Sequence, residues 1–194
     1  MKKTILGILT MLLAVIAVSG CNMFAKANGV ILYGEEEEVL NAVEKEKDLL
    51  VDEEQHNIKI LTNENLQVMI LTEKTAQSLV EKKLISEITN QEKAKIKAIS
   101  SLSKVSKGEG LLFTKEKSHK LEAVDNNISI KYEGNLVIGE GRVYADIFLI
   151  VTEEDWASLK GTEKTLAILK YDKDPSADGL SYDVEKAQLV RIQD

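Results

Sequence analysis

The chain opens with an apolar run, Ile5 to Val18, preceded by Lys2 and Lys3 and closed by Val18-Ser19-Gly20-Cys21. At 14 residues the run is too short for a hydrocarbon core, which takes about 20. It has the length of the apolar segment of a secretory signal, about 7–15 residues. A leader of this kind takes no part in the fold, so whatever folds is written after Gly20. Cys21 is the only cysteine. The folding body therefore has neither an intrachain disulfide nor a Cys-rich zinc site, and must be held by packing and hydrogen bonds.

Val18-Ser19-Gly20-Cys21 resembles the lipobox of bacterial lipoproteins: an aliphatic residue, two small residues, then cysteine. The resemblance covers residues 1–21 only, and the mature part resembles no family by its motifs. It implies that residues 1–20 are a signal peptide cleaved before Cys21. Cys21 would then carry a diacylglyceryl thioether and become the mature N-terminus. Residues 21–30 read as a lipidated tether, and the localisation implied is the cell membrane, lipid-anchored on its extracytoplasmic face. Loss of Lys2 and Lys3 leaves 23 basic against 32 acidic residues, a net charge of −9. Such a body is repelled by an anionic leaflet, so the lipid and not a basic patch would do the anchoring. Net acidity also argues against a nucleic-acid partner.

The sequence predicts an α+β fold with helices first and an antiparallel sheet after them. Residues 31–107 read as a mainly helical half. Glu35 to Glu54 carries apolar residues at helical spacing (Val39, Val43, Leu50), with Glu35–Glu38 at its start. Asn57–Thr62 and Leu66–Leu71 read as a short hairpin around Asn63-Glu64-Asn65. Ala76, Leu79, Val80, Leu84 and Ile88 continue at helical spacing, Thr89-Asn90-Gln91-Glu92 resembles a capping box, and Ile96, Ile99 and Leu102 follow. Ser100 to Gly110 is a break in composition and a candidate hinge. Residues 108–194 read as antiparallel β, with about five or six strands. Ile128, Ile130 and Tyr132 alternate on one face, and Phe148-Leu149-Ile150-Val151 has the look of a strand buried on both faces. One compact domain containing both halves is expected.

Few residues announce chemistry. His56 and His119 lack partners at metal-ligand spacing and read as exposed loop residues. Asp172 to Asp183 places oxygens as in an EF-hand loop, which makes Asp172, Asp174, Asp178 and Asp183 weak metal candidates. Ala177 stands where the turn needs glycine, and Pro175 constrains the loop, so a connection between strands is the better reading. Gly139-Glu140-Gly141 lacks the Lys-Ser/Thr of a phosphate loop. Trp156 reads as a core or strand-edge plug. No catalytic constellation and no cofactor motif stands out. The expected function is non-enzymatic: an acidic, lipid-anchored body that binds a protein or a cationic peptide at the cell surface. A small solute-binding or envelope-enzyme lipoprotein is the alternative.

Overall fold

The computed structural model describes residues 27–90, 95–116, 121, 128–139, 141–175 and 181–193. The leader, Cys21, most of the tether, Gln91-Glu92 of the expected capping box, His119, Glu140 and Asp178 lie outside them.

The described chain is built mainly of strands, and this overturns the expected α+β plan. Its elements are β1 (Gly29–Gly34), α1 (Glu36–Glu46), a 3-10 turn (Lys47–Leu49), β2 (Leu50–Asn63), β3 (Leu66–Thr72), α2 (Glu73–Glu81), β4 (Ile85–Asn90), β5 (Lys95–Ala98), β6 (Glu109–Phe113), β7 (Ser129–Gly134), β8 (Leu136–Ile138), β9 (Ile147–Val151), α3 (Glu153–Ser158), β10 (Thr162–Tyr171) and β11 (Lys186–Val190). Gly29 and Val30, read as tether, already belong to β1.

The helical half is the main error. Glu35 to Glu54 does start as a helix, but α1 ends at Glu46 and the chain enters the 14-residue strand β2. Ile85–Asn90 and Lys95–Ala98 are also strands, although their apolar residues sit at helical intervals. In both places β-branched residues and a sheet neighbour outweigh local periodicity. Nor is the sheet simply antiparallel. Eight strands run in the order β11-β1-β10-β2-β3-β9-β6-β7, and β4, β5 and β8 form a second sheet of three. The pairs β3–β9 and β6–β7 are parallel. The large sheet interleaves strands from both halves of the sequence, so helices and sheet are not successive layers.

Alternation along the strands divides the core between the sheet faces. On one face Ile31, Tyr33, Ile58, Met69, Leu71, Phe148, Ile150, Leu166 and Ile168 meet α2 and the three-stranded sheet. On the other, Val30, Leu32, Ala167 and Leu169 meet the Val39-Ala42-Val43 stripe of α1, while Val68, Ile70, Ile147, Leu149 and Val151 meet Trp156 and Leu159 of the α3 region. The run from Ile147 to Val151 is buried throughout and lies between β3 and β6, so the fully apolar stretch does mark an interior strand.

A local duplication explains why α2 and α3 fall on opposite faces. Thr72-Glu73 and Thr152-Glu153 each open a helix, and each is followed at the same distance by Ser-Leu, as Ser78-Leu79 and Ser158-Leu159. Both threonines cap their helices: Thr72 Oγ1 accepts from Thr75 N at 3.1 Å and Thr152 Oγ1 from Asp155 N at 3.2 Å. Yet Thr72 is registered against Val151, not Thr152. One residue along a strand reverses the face a side chain meets. The same strand-to-helix unit therefore turns onto one face after β3 and onto the other after β9.

Candidate functional site

A surface depression lies between α1 and the segment Ser181–Asp183. Its helix wall follows from the amphipathic pattern of α1. Val39, Ala42 and Val43 are held on the sheet, which turns Glu38, Asn41, Glu44 and Lys45 outward. Glu36, Glu37 and Glu38 sit in the first turn, where backbone N–H groups favour negative charge. The cleft has a volume of about 460 Å³, and its charged lining is Glu38, Glu44, Glu46 and Asp183 against Lys45 alone.

Ser181 and Tyr182 line the cleft, and Tyr171 is buried behind Tyr182. The Tyr171 and Tyr182 hydroxyls are 2.7 Å apart, and Tyr171 donates to Glu46 at 3.4 Å. Burial, with the neighbouring Tyr182 and Glu46, pushes the Tyr171 hydroxyl far above the usual phenol range. Burial raises Tyr182 as well. Both stay protonated at neutral pH, and they supply hydrogen bonds without charge.

A second network fixes the two walls. Lys164 on β10 pairs with Glu35, just ahead of α1, and with Glu185 at 2.6 Å, two residues beyond Asp183. Tyr144 donates to Glu185 at 2.5 Å, and its ring stacks on Tyr33 with centroids 4.7 Å apart. Burial alone would raise Glu185, but the bonds from Lys164 and Tyr144 outweigh it and hold its carboxyl below the ordinary range. Lys164 is raised by those same carboxylates.

The third polar cluster has catalytic-looking residues without catalytic geometry. His56 lies within β2, not in a loop, with its side chain 13% exposed. Its Nε2 is 3.2 Å from Glu54 Oε2, and Ser78 Oγ donates to that same oxygen. Lys82 reaches Asp52 at 2.7 Å and Glu54 at 3.0 Å. Glu54 is thus the hub. A nucleophile relay needs the serine on the imidazole and the imidazole on the acid; here both meet the acid. Burial lowers His56 below its ordinary value, against the pull of Glu54. For Glu54, burial raises, but hydrogen bonds from Ser78 and Lys82 prevail and lower it.

Three of the four weak metal candidates are among the described residues. Asp172 and Asp174 follow β10, Asp183 lines the acidic cleft, and Asp178 lies outside the described residues. Among the described residues no group of three or more His, Cys, Asp or Glu has a metal-holding arrangement. Asp52-Glu53-Glu54, read as a helix end, lies on β2. Trp156 plugs α3 onto the sheet: its Nε1 donates to Ile70 O at 3.1 Å, and Lys59 Nζ stands 4.2 Å from its ring centroid. Sequence reasoning missed the tyrosine pair and Lys164. The available signal was that Tyr171 and Tyr182 bracket the Asp-rich segment.

The body thus defined is a mixed sheet with helices on both faces and an acidic cleft at one of them. A crystal structure named "putative lipoprotein", from Bacillus anthracis, has a similar fold: TM-score 0.76, 25% identity, 86% of this chain and 100% of that one covered. A comparison with curated proteins finds no match. The class is that of the lipoproteins. The chain belongs to an uncharacterised lipoprotein family, whose model matches residues 27–193.

Proposed function

We propose that the chain is anchored by lipid on Cys21 at the extracytoplasmic face of the cell membrane, and that it binds a cationic peptide or a basic segment of a protein in the acidic cleft. The observation that carries this reading is the charge asymmetry of the cleft: four carboxylates, Glu38, Glu44, Glu46 and Asp183, around one lysine. A lysine or arginine entering there loses little water from the open rim, gains carboxylate partners, and can rest its stem on the Tyr182 ring. Membership of a lipoprotein family supports the anchor, and so does the lipobox-like string ending in Cys21. A non-enzymatic role agrees with the Glu54-centred wiring of Ser78 and His56.

Two experiments test the reading. Cys21→Ser should abolish fatty-acid labelling and release the protein from membranes; labelling that persists removes the anchor. Calorimetric titration with a lysine-rich peptide should show binding that weakens with salt and is lost in a Glu44→Lys, Asp183→Lys variant. Equal binding by that variant would move the site elsewhere.

A further inference from the structure

We infer that the tether-proximal end of the sheet rests on the lipid surface, with Leu49 and Val51 as its contact residues. The inference rests on the Cys21 anchor proposed above. Cys21 and Asn28 are seven residues apart, so the chain between them reaches at most about 25 Å even fully extended. Asn28 is itself fixed to the body. Its side chain donates to Ile192 O at 3.0 Å and accepts from Ile192 N at 2.7 Å, and its carbonyl accepts from Tyr171 N at 2.8 Å. A lipid at Cys21 therefore holds one chosen end of the molecule near the bilayer.

Among the described residues, the two most exposed large apolar side chains stand at that end. Leu50 is registered against Tyr171 on β10, and β10 lies beside β1. Leu49 and Val51 thus stand two strand spacings from the tether, about 10 Å. They are 58% and 59% exposed, the highest values among the large apolar residues described. Charges of both signs share this end: Lys47, Lys173 and Arg191 with Glu46, Asp48, Asp52 and Asp172. The opposite end of β1 is different. It leads into Glu35–Glu38, about 20 Å from Asn28. Repulsion by anionic lipid therefore acts on the far pole and turns it outward, while the mixed, apolar-tipped pole is free to settle in the headgroup layer. The acidic body need not stand clear of its membrane; it is oriented on it.

The test uses the full chain expressed in a bacterium, purified from membranes and reconstituted into phosphatidylglycerol–phosphatidylcholine vesicles containing a photoactivatable phospholipid. After illumination, one digest reports both the mass of the Cys21 peptide and the positions of lipid adducts. Adducts should concentrate on residues 47–52 and be several-fold fewer on residues 36–46 and on β5, where Ile96 is also exposed. A Leu49→Ser, Val51→Ser variant, altered only at exposed positions, should lose most of that labelling while remaining on the vesicles. Lipid present on Cys21 with adducts absent from 47–52, or spread evenly over the surface, overturns the docking surface alone. A Cys21 peptide without lipid overturns the anchor, and this inference with it.

Discussion

Replacing Lys59 with methionine removes a charge that the fold uses as a helix cap. Lys59 sits on β2 with only 5% of its surface exposed. Its Nζ donates to Trp156 O and to Leu159 O, each at 2.9 Å, and lies over the Trp156 ring. These carbonyls close α3, a helix of six residues that cannot stand on propensity alone. Methionine keeps the apolar stem and deletes the ammonium. A hydrogen bond from a charged group contributes about 1.5–3 kcal/mol, and an orphaned buried carbonyl adds its own penalty; the cation over the ring adds about 0.5–2 kcal/mol. Partial rehydration at the helix end returns some of this, so the expected loss is about 3 kcal/mol, or roughly 6–12 °C in Tm for a body of this size. Trp156 is the only tryptophan, so urea unfolding followed by its fluorescence reads the site directly. Lys59→Arg should fall between wild type and methionine. A Lys59→Met midpoint equivalent to a change under about 0.5 kcal/mol would refute the capping role, because Trp156 O keeps the Leu159 N–H but the loss of the charged bond to Leu159 O alone exceeds that.

Other outcomes can be stated briefly. Leu149→Ala, at a fully buried position of the interior strand β9, should destabilise by about 2–5 kcal/mol in the same urea assay. Thr72→Ala and Thr152→Ala should each cost about 1 kcal/mol, visible as lower midpoints with unchanged slopes. Gly139 has φ +64, and an added Cβ would lie 2.6 Å from the Gln188 amide nitrogen; Gly139→Ala should lower the Tm, whereas an alanine at open Gly141 should not. His56 is depressed below its unfolded value, so the unfolded chain binds more protons. Its stabilising contribution is present above about pH 6.5 and fades as pH falls through the lower folded value. Denaturation curves from pH 5 to 8 should show that slope reduced in His56→Gln.

What the sequence disclosed depended on whether a local pattern had a competitor. Ile147 to Val151 was legible as an interior strand because a continuous apolar run has no polar face to offer. The Asn63-Glu64-Asn65 turn was legible because Glu64 takes a positive φ between two β-rich runs, which asparagine-flanked turns favour. Leu50 to Glu54 was misread because acidic residues and spaced leucines fit a helix, while the fact that decides their state is β10, more than 100 residues away. The parallel pair β3–β9 is equally non-local. The repeated Thr-Glu…Ser-Leu string lay in view, but its separation of 80 residues is outside the spacing of short repeats. Of the cleft, the acids at the start of α1 were visible and their neighbours were not. Tyr171, Tyr182 and Lys164 gain meaning only when β10 and the segment after the Asp-rich loop are folded back beside α1.

Asn28 also decides how the molecule bears a load. A pull on the chain ahead of Asn28 enters at the first residues of β1, a strand with six registered pairs to β10 and five to β11. Because both neighbours are antiparallel and hydrogen-bonded along its length, drawing β1 out by its N-terminal end shears two ladders at once instead of unzipping one. The Asn28–Ile192 bonds add the C-terminal segment to the same clamp. Resistance to extraction is then a rate, set by simultaneous rupture of these ladders, and not by the packing of α1 or α3. A lipoprotein exposed to flow or to tension from a bound partner is held, in this design, by a strand flanked on both sides.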